Sequence, residues 1–230
     1  MKILCLIPAR KNSKGIKNKN LIKLNNKPLI YHTLKISNKL KSVYEFVSTD
    51  SKKIRSYSNK FLKEKSNYLR PSKISGDKSL IFDAVKDAIN WLKKNKLLKF
   101  DAVLVLQPTT PVRKITDIEK AIEIFKKKNY SSLVSLVQMK EHPYECVEIT
   151  KNKWKYVKKN PKKIITGRQQ YKNNFFFIDG SFYLAKLDFY FKNKGFIKEN
   201  ITKFYIQQKK WPVDIDYVDD LKVAEAFLKN

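Results

Sequence analysis

The apolar positions up to about residue 139 alternate between short strand-like runs and stretches with helical spacing. Two runs, 3–7 and 102–106, are continuously apolar, and two more, 44–49 and 133–137, include polar residues; each of the four is short enough for one strand. Between them, apolar residues recur three and four positions apart, as at Ile81, Val85 and Ala88. This β-α-β-α-β-α-β order predicts an α/β fold with a parallel sheet and helices on both of its faces.

The pattern changes near Met139. A hairpin around residues 151–152 and two strand-like segments around Gly180 follow, before the sequence returns to one strand and a terminal helix. The sequence contains no repeat and no low-complexity linker. We therefore predict a single domain, 1–230, that carries a small β-rich insertion at about 139–180.

Composition narrows the class of protein. The 230 residues are 42% hydrophobic and 13% aromatic, which indicates a folded globular chain. No apolar run approaches the roughly 18 residues that a membrane span needs, so we expect no membrane partner. Two cysteines, Cys5 and Cys146, form no disulfide framework and predict a cytoplasmic protein with reduced thiols.

The formal net charge of +29 raises the possibility of a nucleic-acid partner. Only five of the 50 basic residues are arginines, however, and the other 45 are lysines scattered along the whole chain. Nucleic-acid readers use arginine for bidentate contacts, so a specific nucleic-acid partner is disfavoured. A non-enzymatic protein that binds polyanions remains the alternative from a different functional class.

A cationic loop follows the first predicted strand. Pro8 ends the strand, and Arg10, Lys14 and Lys19 follow around the single glycine Gly15. Ligands of open α/β sheets bind at the carboxyl ends of the strands. Several positive donors on one short loop suit a polyphosphate, because each oxygen accepts a charge-assisted hydrogen bond. The alternative is a solvated lysine-rich turn.

A pair of carboxylates near the carboxyl terminus is the second chemical signal. In an extended segment Asp214 and Asp216 point the same way, with Ile215 anchored behind them. Two carboxylates together with substrate phosphate suit Mg²⁺. The alternative is a pair of helix-capping acids. A cationic loop and a metal-binding carboxylate pair on one rim together indicate phosphoryl-type transfer.

Two further residues follow predicted strands at the same edge of the sheet. Gln107 offers both a donor and an acceptor on a loop stiffened by two prolines, as recognition of a base edge requires. The alternative is that Gln107 braces those prolines. Asp50 either caps the next helix or takes part in the site.

Eight motifs in one order cover essentially the whole chain: IPARKNSKGIKNKN (7–20), VSTD (47–50), RP (70–71), LQPTTPVR (106–113), HPY (142–144), GRQQ (167–170), DG (179–180) and DIDYVDDL (214–221). In these the sequence resembles the acylneuraminate (sialic acid) cytidylyltransferases and their legionaminic and pseudaminic acid relatives. The resemblance implies a three-layer, Rossmann-like nucleotidyltransferase with a mostly parallel sheet. It also implies a Mg²⁺-dependent enzyme of surface polysaccharide biosynthesis that converts CTP and a nine-carbon sugar acid to a CMP-sugar and pyrophosphate.

The resemblance assigns roles by position. It implies nucleotide contacts for six residues: Arg10, Lys14, Lys19, Asn20, Arg70 and Gln107. It implies sugar contacts for Arg168, Gln169 and Asp179, and metal binding by Asp214 and Asp216. Arg10, Lys14 and Asp216 are then the catalytic residues, with Asp216 or a hydroxide on the metal as the base. The resemblance further implies a homodimer in which the insertion at 139–180 reaches into the partner subunit.

Three departures from the family pattern keep the substrate open. Asp179 stands where the sialic acid enzymes usually carry asparagine, and Phe177-Ile178 stands where they tend to carry Arg-Pro. A usual hydroxyl-rich run on the nucleotide side is replaced by residues 78–81. The Kdo-activating branch is disfavoured because its characteristic acidic loop is absent. Another sugar acid or another nucleotide therefore remains the alternative substrate.

Overall fold

The computed structural model describes residues 1–13, 15–151, 153–159, 175–208 and 213–228. Its strands, in chain order, are β1 (Ile3–Pro8), β2 (Lys23–Leu24), β3 (Lys27–Pro28), β4 (Val43–Ser48), β5 (Ala102–Val105), β6 (Ser132–Gln138), β7 (Val147–Thr150), β8 (Lys153–Tyr156), β9 (Phe176–Lys186) and β10 (Lys203–Ile206). Its α-helices are α1 (Leu29–Lys39), α2 (Lys52–Ser58), α3 (Ile81–Lys96), α4 (Ile115–Lys127), α5 (Leu187–Asn193) and α6 (Val218–Leu228).

Six of these strands form the central sheet, in the order β10-β6-β9-β5-β1-β4. β1 pairs in parallel with β4 and β5, and β10 pairs in parallel with β6. β9 is the exception, because it runs antiparallel between β5 and β6. The predicted mostly parallel α/β sheet is confirmed. Its antiparallel strand, β9, is formed by a part of the chain that the sequence predicted as two separate strand-like segments.

Gly180 explains why those two segments form one strand. Its φ of +70° lies in the left-handed region that glycine adopts without strain. The pairing register of β9 with β6 shifts between Val134 and Leu136, opposite this glycine. Such an irregularity bends a strand without ending it. Residues 176–180 consequently belong to the central sheet, and the predicted insertion ends earlier than residue 180; its described hairpin consists of β7 and β8.

Helices cover both faces of the sheet, as predicted. Alternate residues of β1 point to opposite sides, so that Leu4 and Leu6 pack with α3 residues such as Val85. Cys5, on the other face, packs with α4 residues such as Phe125. The sheet is thereby the middle of three layers. None of the described helices is long and apolar enough to cross a membrane.

Candidate functional site

The loop after β1 and the segment before α6 meet at one pocket. The pocket has a volume of about 450 Å³ and lies where β1 and β5 end, the edge at which open α/β sheets bind ligands. Six of its lining residues were predicted for the site: Arg10, Lys19, Asn20, Arg70, Gln107 and Asp216. The structure therefore brings the cationic loop and one of the two aspartates together from opposite ends of the chain.

Lys19 ties the two segments to each other. Its buried Nζ donates to the backbone carbonyl of Ile215 at 2.6 Å and to Asp216 Oδ1 at 2.8 Å. Gly15 packs against the same segment so closely that a Cβ there would overlap the carbonyl oxygen of Asp216. Two of the three donors of this ammonium are thus used within the protein, and at most one is left for a phosphate.

Arg10 extends across the pocket toward its opposite wall. Its Nη1 lies 2.9 Å from Asp77 Oδ1 and donates to the Gly76 carbonyl at 2.9 Å. The backbone of Arg10 is fixed from behind, because Asn20 Nδ2 donates to its carbonyl oxygen at 2.9 Å. Asn20, for which the family resemblance implied a nucleotide contact, therefore also holds the cationic loop in shape.

Arg70 is buried beneath the pocket at the end of β4. Its Nε donates to the Ser48 hydroxyl at 3.1 Å and its Nη2 to the Ser48 carbonyl. Burial lowers the pKa of the Arg70 guanidinium, and the nearby Arg10 adds to this. Two of the guanidinium nitrogens are engaged by the end of the strand, while the side chain still lines the pocket.

Asp50 follows β4, and the sequence left open whether it caps the next helix or takes part in the site. The cap of α2 is Ser51, whose hydroxyl accepts from the Ile54 N–H at 3.3 Å. The Asp50 carboxylate instead accepts from the backbone N–H of Lys11 at 2.7 Å. Asp50 therefore anchors the cationic loop to the neighbouring strand and does not cap the helix.

The two aspartates occupy the outer side of their segment, as the alternation predicted. Ile215 is buried between them, and its N–H donates to the Thr109 carbonyl at 2.8 Å. Another acid binds the backbone just before α6: Asp220 Oδ2 accepts from the N–H groups of Asp216 and Tyr217 at 2.8 and 2.7 Å. The acid that binds the amides just before the helix is therefore Asp220.

Asp214 has a perturbed acidity. Loss of hydration raises its pKa above the usual range, and the carboxylate of Asp216 raises it further. A hydrogen bond from Thr109 and the charges of Lys19 and Arg113 act in the opposite direction. Mutual repulsion of two neighbouring carboxylates is the electrostatic condition that a bound cation relieves.

Arg113 was not predicted as a site residue, although its motif was noted. Its Nε donates to the Ser181 carbonyl at 2.6 Å and its Nη1 to the Thr33 hydroxyl at 2.9 Å. Its Nη2 donates to the Gln107 carbonyl and the Thr110 hydroxyl. The available signal was the rarity of arginine in a lysine-rich chain, which indicates positions where a planar fork is needed.

Among the predicted sugar-side residues, the structure describes Asp179, and this residue does not line the pocket. Asp179 is 2% exposed, and its Oδ2 accepts from the Ser181 hydroxyl and from Gln207 Nε2, so its carboxylate is buried within the protein. Lys14, Arg168 and Gln169 lie outside the described residues.

Curated proteins of similar sequence extend along the whole chain. CMP-N,N′-diacetyllegionaminic acid synthase from Legionella pneumophila is 31% identical, over 100% of this chain and 97% of its own length. Post-translational flagellin modification protein B from Campylobacter coli is 29% identical, over 99% and 95%. N-acylneuraminate cytidylyltransferase from Streptococcus agalactiae is 27% identical over 96% of this chain, which spans only 52% of that protein.

Solved structures share the fold at lower sequence identity. CMP:2-keto-3-deoxy-manno-octonic acid synthetase complexed with CTP aligns with a TM-score of 0.70 at 14% identity, covering 100% of this chain and 99% of that one. The 2-C-methyl-D-erythritol 4-phosphate cytidylyltransferase of Francisella tularensis aligns with a TM-score of 0.65 at 18% identity, covering 99% and 100%. The predicted Rossmann-like nucleotidyltransferase fold is confirmed. A model of the cytidylyltransferase family matches residues 4–230, and the chain belongs to that family.

Proposed function

We propose that the chain transfers CMP from CTP to a nine-carbon 2-keto sugar acid of the sialic or legionaminic type, releasing pyrophosphate. The observation that carries this proposal is the contact of Lys19 with Asp216, which joins the cationic loop and the aspartate segment at one pocket. The relatives named as acylneuraminate and legionaminic acid enzymes support the substrate class. We place the reaction in the cytoplasm, in keeping with the two unpaired cysteines.

The triphosphate would lie along the loop after β1. Arg10 and the remaining donor of Lys19 face the pocket, and Lys14 belongs to the same loop in sequence. Charge-assisted donors of this kind bind phosphate oxygens and stabilise the charge that develops as pyrophosphate leaves. Arg70 and Gln107 also line the pocket and would contact the nucleoside.

Mg²⁺ would be held by Asp214 and Asp216. The described residues contain no cluster of three or more His, Cys, Asp or Glu side chains suited to a metal. Mg²⁺ does not require one, because it commonly takes one or two carboxylates and completes its shell with waters and substrate phosphates. The pair of carboxylates beside a phosphate-binding loop fits that requirement. When bound, the ion would neutralise charge on the phosphates.

The transfer itself needs a positioned hydroxyl and a base. The anomeric hydroxyl oxygen of the sugar acid attacks the α-phosphorus in line, and the bond from that phosphorus to the β-phosphate oxygen breaks. Pyrophosphate leaves with the bonding electrons. The hydroxyl proton passes to a base, for which we propose Asp216, whose carboxylate lines the pocket next to the cationic loop.

Pyrophosphate release from CTP against a panel of eight- and nine-carbon sugar acids tests the proposal. We expect turnover with at least one nine-carbon acid, loss of turnover in Asp216→Ala, and near wild-type rates in Asp219→Ala. Asp219 is a suitable control because it is highly exposed and pairs only with its neighbour Lys222 across the described residues. Nucleotide-independent, steeply salt-dependent binding to DNA without turnover would instead favour a polyanion-binding protein.

We also propose that the hairpin of β7 and β8 is the contact of a homodimer. The pairing register places Val147 opposite Tyr156 and Ile149 opposite Trp154, so the four side chains share one face. All four are exposed, and Ile149 is 71% exposed. A contiguous apolar sheet face of this kind typically marks an interface. A second copy of the chain is the occupant that the family resemblance implies.

Sedimentation velocity tests the dimer. Ile149→Lys should convert the dimer to a monomer, because a charge would be buried at the centre of the contact. Thr150→Lys, on the opposite face of the same strand, adds the same charge and should leave the dimer intact. A wild-type monomer at all concentrations, or equal effects of the two substitutions, would refute this interface.

A further inference from the structure

One edge of the Arg70 guanidinium is held by a single residue, Ser48. Nε of Arg70 donates to the Ser48 hydroxyl at 3.1 Å, and Nη2 donates to the Ser48 carbonyl. Two donors on one rigid plane, bound by two oxygens of the same residue, fix the orientation of that plane. Among the described residues these two bonds use Nε and Nη2, so Nη1 is the nitrogen left for a ligand in the pocket that Arg70 lines.

The Ser48 hydroxyl is itself oriented by Tyr68. Tyr68 Oη donates to Asp87 Oδ2 at 2.6 Å. A phenol has one proton, and this one is committed to the carboxylate, so Ser48 is the donor in its longer, 3.5 Å contact with Tyr68 Oη. The hydroxyl of Ser48 thus turns its proton toward Tyr68 and its lone pairs toward Nε of Arg70. We refer to Ser48, Tyr68 and Asp87 as the hydroxyl relay.

Burial keeps the hydroxyl relay in this state. Ser48 and Tyr68 are 0% and 2% exposed, so water does not compete for their hydroxyl groups. Burial raises the pKa of Tyr68, and the hydrogen bond to Asp87 raises it further, so the phenol keeps the proton that it donates. The Tyr68 ring also packs against Phe46 and Trp91, with ring centroids 5.1 and 5.5 Å away. The relay therefore forms a packed connection from α3 to the pocket.

This arrangement suits a cation that must bind a ligand. A carboxylate in direct contact with the guanidinium would compete with an incoming acceptor for its charge. In the relay the negative charge of Asp87 lies beyond two hydroxyl groups, and it still opposes the lowering of the Arg70 pKa that burial causes. Arg70 is therefore fixed in orientation while its charge remains available to the pocket.

We infer that the hydroxyl relay positions Arg70 in one orientation for the cytidine part of CTP. This inference rests on the proposed function, and it assigns a part in nucleotide binding to residues that need not touch the nucleotide. Loss of the relay should weaken the binding of CTP but not the binding of a bare polyphosphate, because Arg10 and Lys19 lie outside the relay.

Calorimetric titration of the protein with CTP and with inorganic triphosphate measures the two contributions separately, without any sugar acid. Tyr68→Phe keeps the packed ring and removes the hydroxyl. We expect its affinity for CTP to fall roughly 5-fold and its affinity for triphosphate to stay within about two-fold, because the nucleotide must then order the arginine side chain itself. Tyr44→Phe is the matched control, since Tyr44 Oη also donates to a carboxylate, Glu64 Oε2 at 2.9 Å, but has no contact with Arg70.

Ser48→Ala provides an independent test, because it removes the acceptor of Nε directly. We expect a fall in CTP affinity at least as large as that of Tyr68→Phe, again without a matching fall for triphosphate. Its matched control is Ser58→Ala, since the Ser58 hydroxyl is equally buried and has no hydrogen-bond partner in the described part of the chain. Thermal unfolding identifies any variant that fails to fold, and the tyrosine pair then decides the result.

The possible outcomes separate the two proposals. A wild-type protein that binds neither CTP nor triphosphate would overturn the proposed function. Wild-type binding of both with equal affinity would leave a polyphosphate site but overturn the inference, because the cytidine would then contribute nothing. The inference would also fail if Tyr68→Phe kept the wild-type ratio of the two affinities, whether by leaving both unchanged or by weakening both equally, or if Tyr44→Phe changed that ratio as much.

Discussion

Gly15→Ala should separate the two halves of the site with a single methyl group. A Cβ at this position would overlap the carbonyl oxygen of Asp216 and lie 3.5 Å from its carbonyl carbon. The φ of Gly15 is outside the left-handed region, so alanine is not strained there for reasons of backbone conformation. The effect of the substitution therefore comes from the contact between the cationic loop and the aspartate segment.

The size of the effect follows from that overlap. Carbon and its non-bonded neighbours prefer separations of about 3.5 Å, so the loop and the segment must move apart by roughly 1 Å. A misplacement of about 1 Å in a catalytic geometry can reduce turnover about 100-fold. We expect kcat/KM for CTP to fall by roughly that factor, while the Tm falls by several degrees, because inserting a methyl group into a packed contact costs about 1–3 kcal/mol.

Gly195→Ala is the matched control for this experiment. A Cβ at Gly195 would meet no atom within 4 Å, and its φ is likewise outside the left-handed region. Steady-state pyrophosphate release should be unchanged in this variant, and its Tm should rise slightly because alanine restricts the unfolded chain. A Gly15→Ala enzyme within two-fold of wild type would refute the claim that close packing of these two segments builds the active site.

Three further predictions concern single groups. Loss of hydration raises the pKa of Asp214, so the folded chain binds a proton at this carboxylate more tightly than the unfolded chain does. The free energy of unfolding therefore falls as the pH rises from the pKa of the unfolded chain through the higher pKa of the folded chain. Asp214→Asn should therefore raise the Tm at neutral pH in metal-free buffer, by an increment that shrinks on acidification, and a lowered neutral-pH Tm would contradict this. Asp77→Asn should tighten CTP binding roughly three-fold, measured by calorimetry, because it releases Arg10 from a partly exposed ion pair and removes a charge that repels the triphosphate. Weaker binding would show that Asp77 instead orients Arg10 for the nucleotide. In a thiol titration Cys146 should react in the folded protein, whereas Cys5, buried and with a raised pKa, should react only after denaturation, and rapid modification of both would contradict a buried β1.

The layered fold was predictable because burial on both faces imposes a continuous apolar run on each central strand. The runs at 3–7 and 102–106 correspond to β1 and β5 for this reason. β9 was predictable as strand-like sequence but not in its position, because its neighbours come from distant parts of the chain. The glycine at position 180 resembles a turn in the sequence, and only the paired strands show that it is a bulge.

The residues that line the pocket were predictable in part, as the fold was. Cationic, amide and carboxylate side chains after strands indicated the edge where the pocket lies, and the family motifs supplied Asn20 and Arg70. The sequence could not show which donors are consumed within the protein. Lys19 spends two of its donors on the aspartate segment, and Asp50 holds the amide of Lys11. These uses depend on distances between residues far apart in sequence.

Phosphorus NMR of the reaction mixture tests the central claim most directly. With CTP, Mg²⁺ and a nine-carbon sugar acid, the account predicts that the triphosphate signals decline while one phosphodiester and one pyrophosphate appear in equal amounts. The phosphodiester should carry the combined mass of CMP and the sugar acid less one water. Folded enzyme that leaves CTP intact with every sugar acid of the panel, or that yields free CMP without a conjugate, would contradict the account.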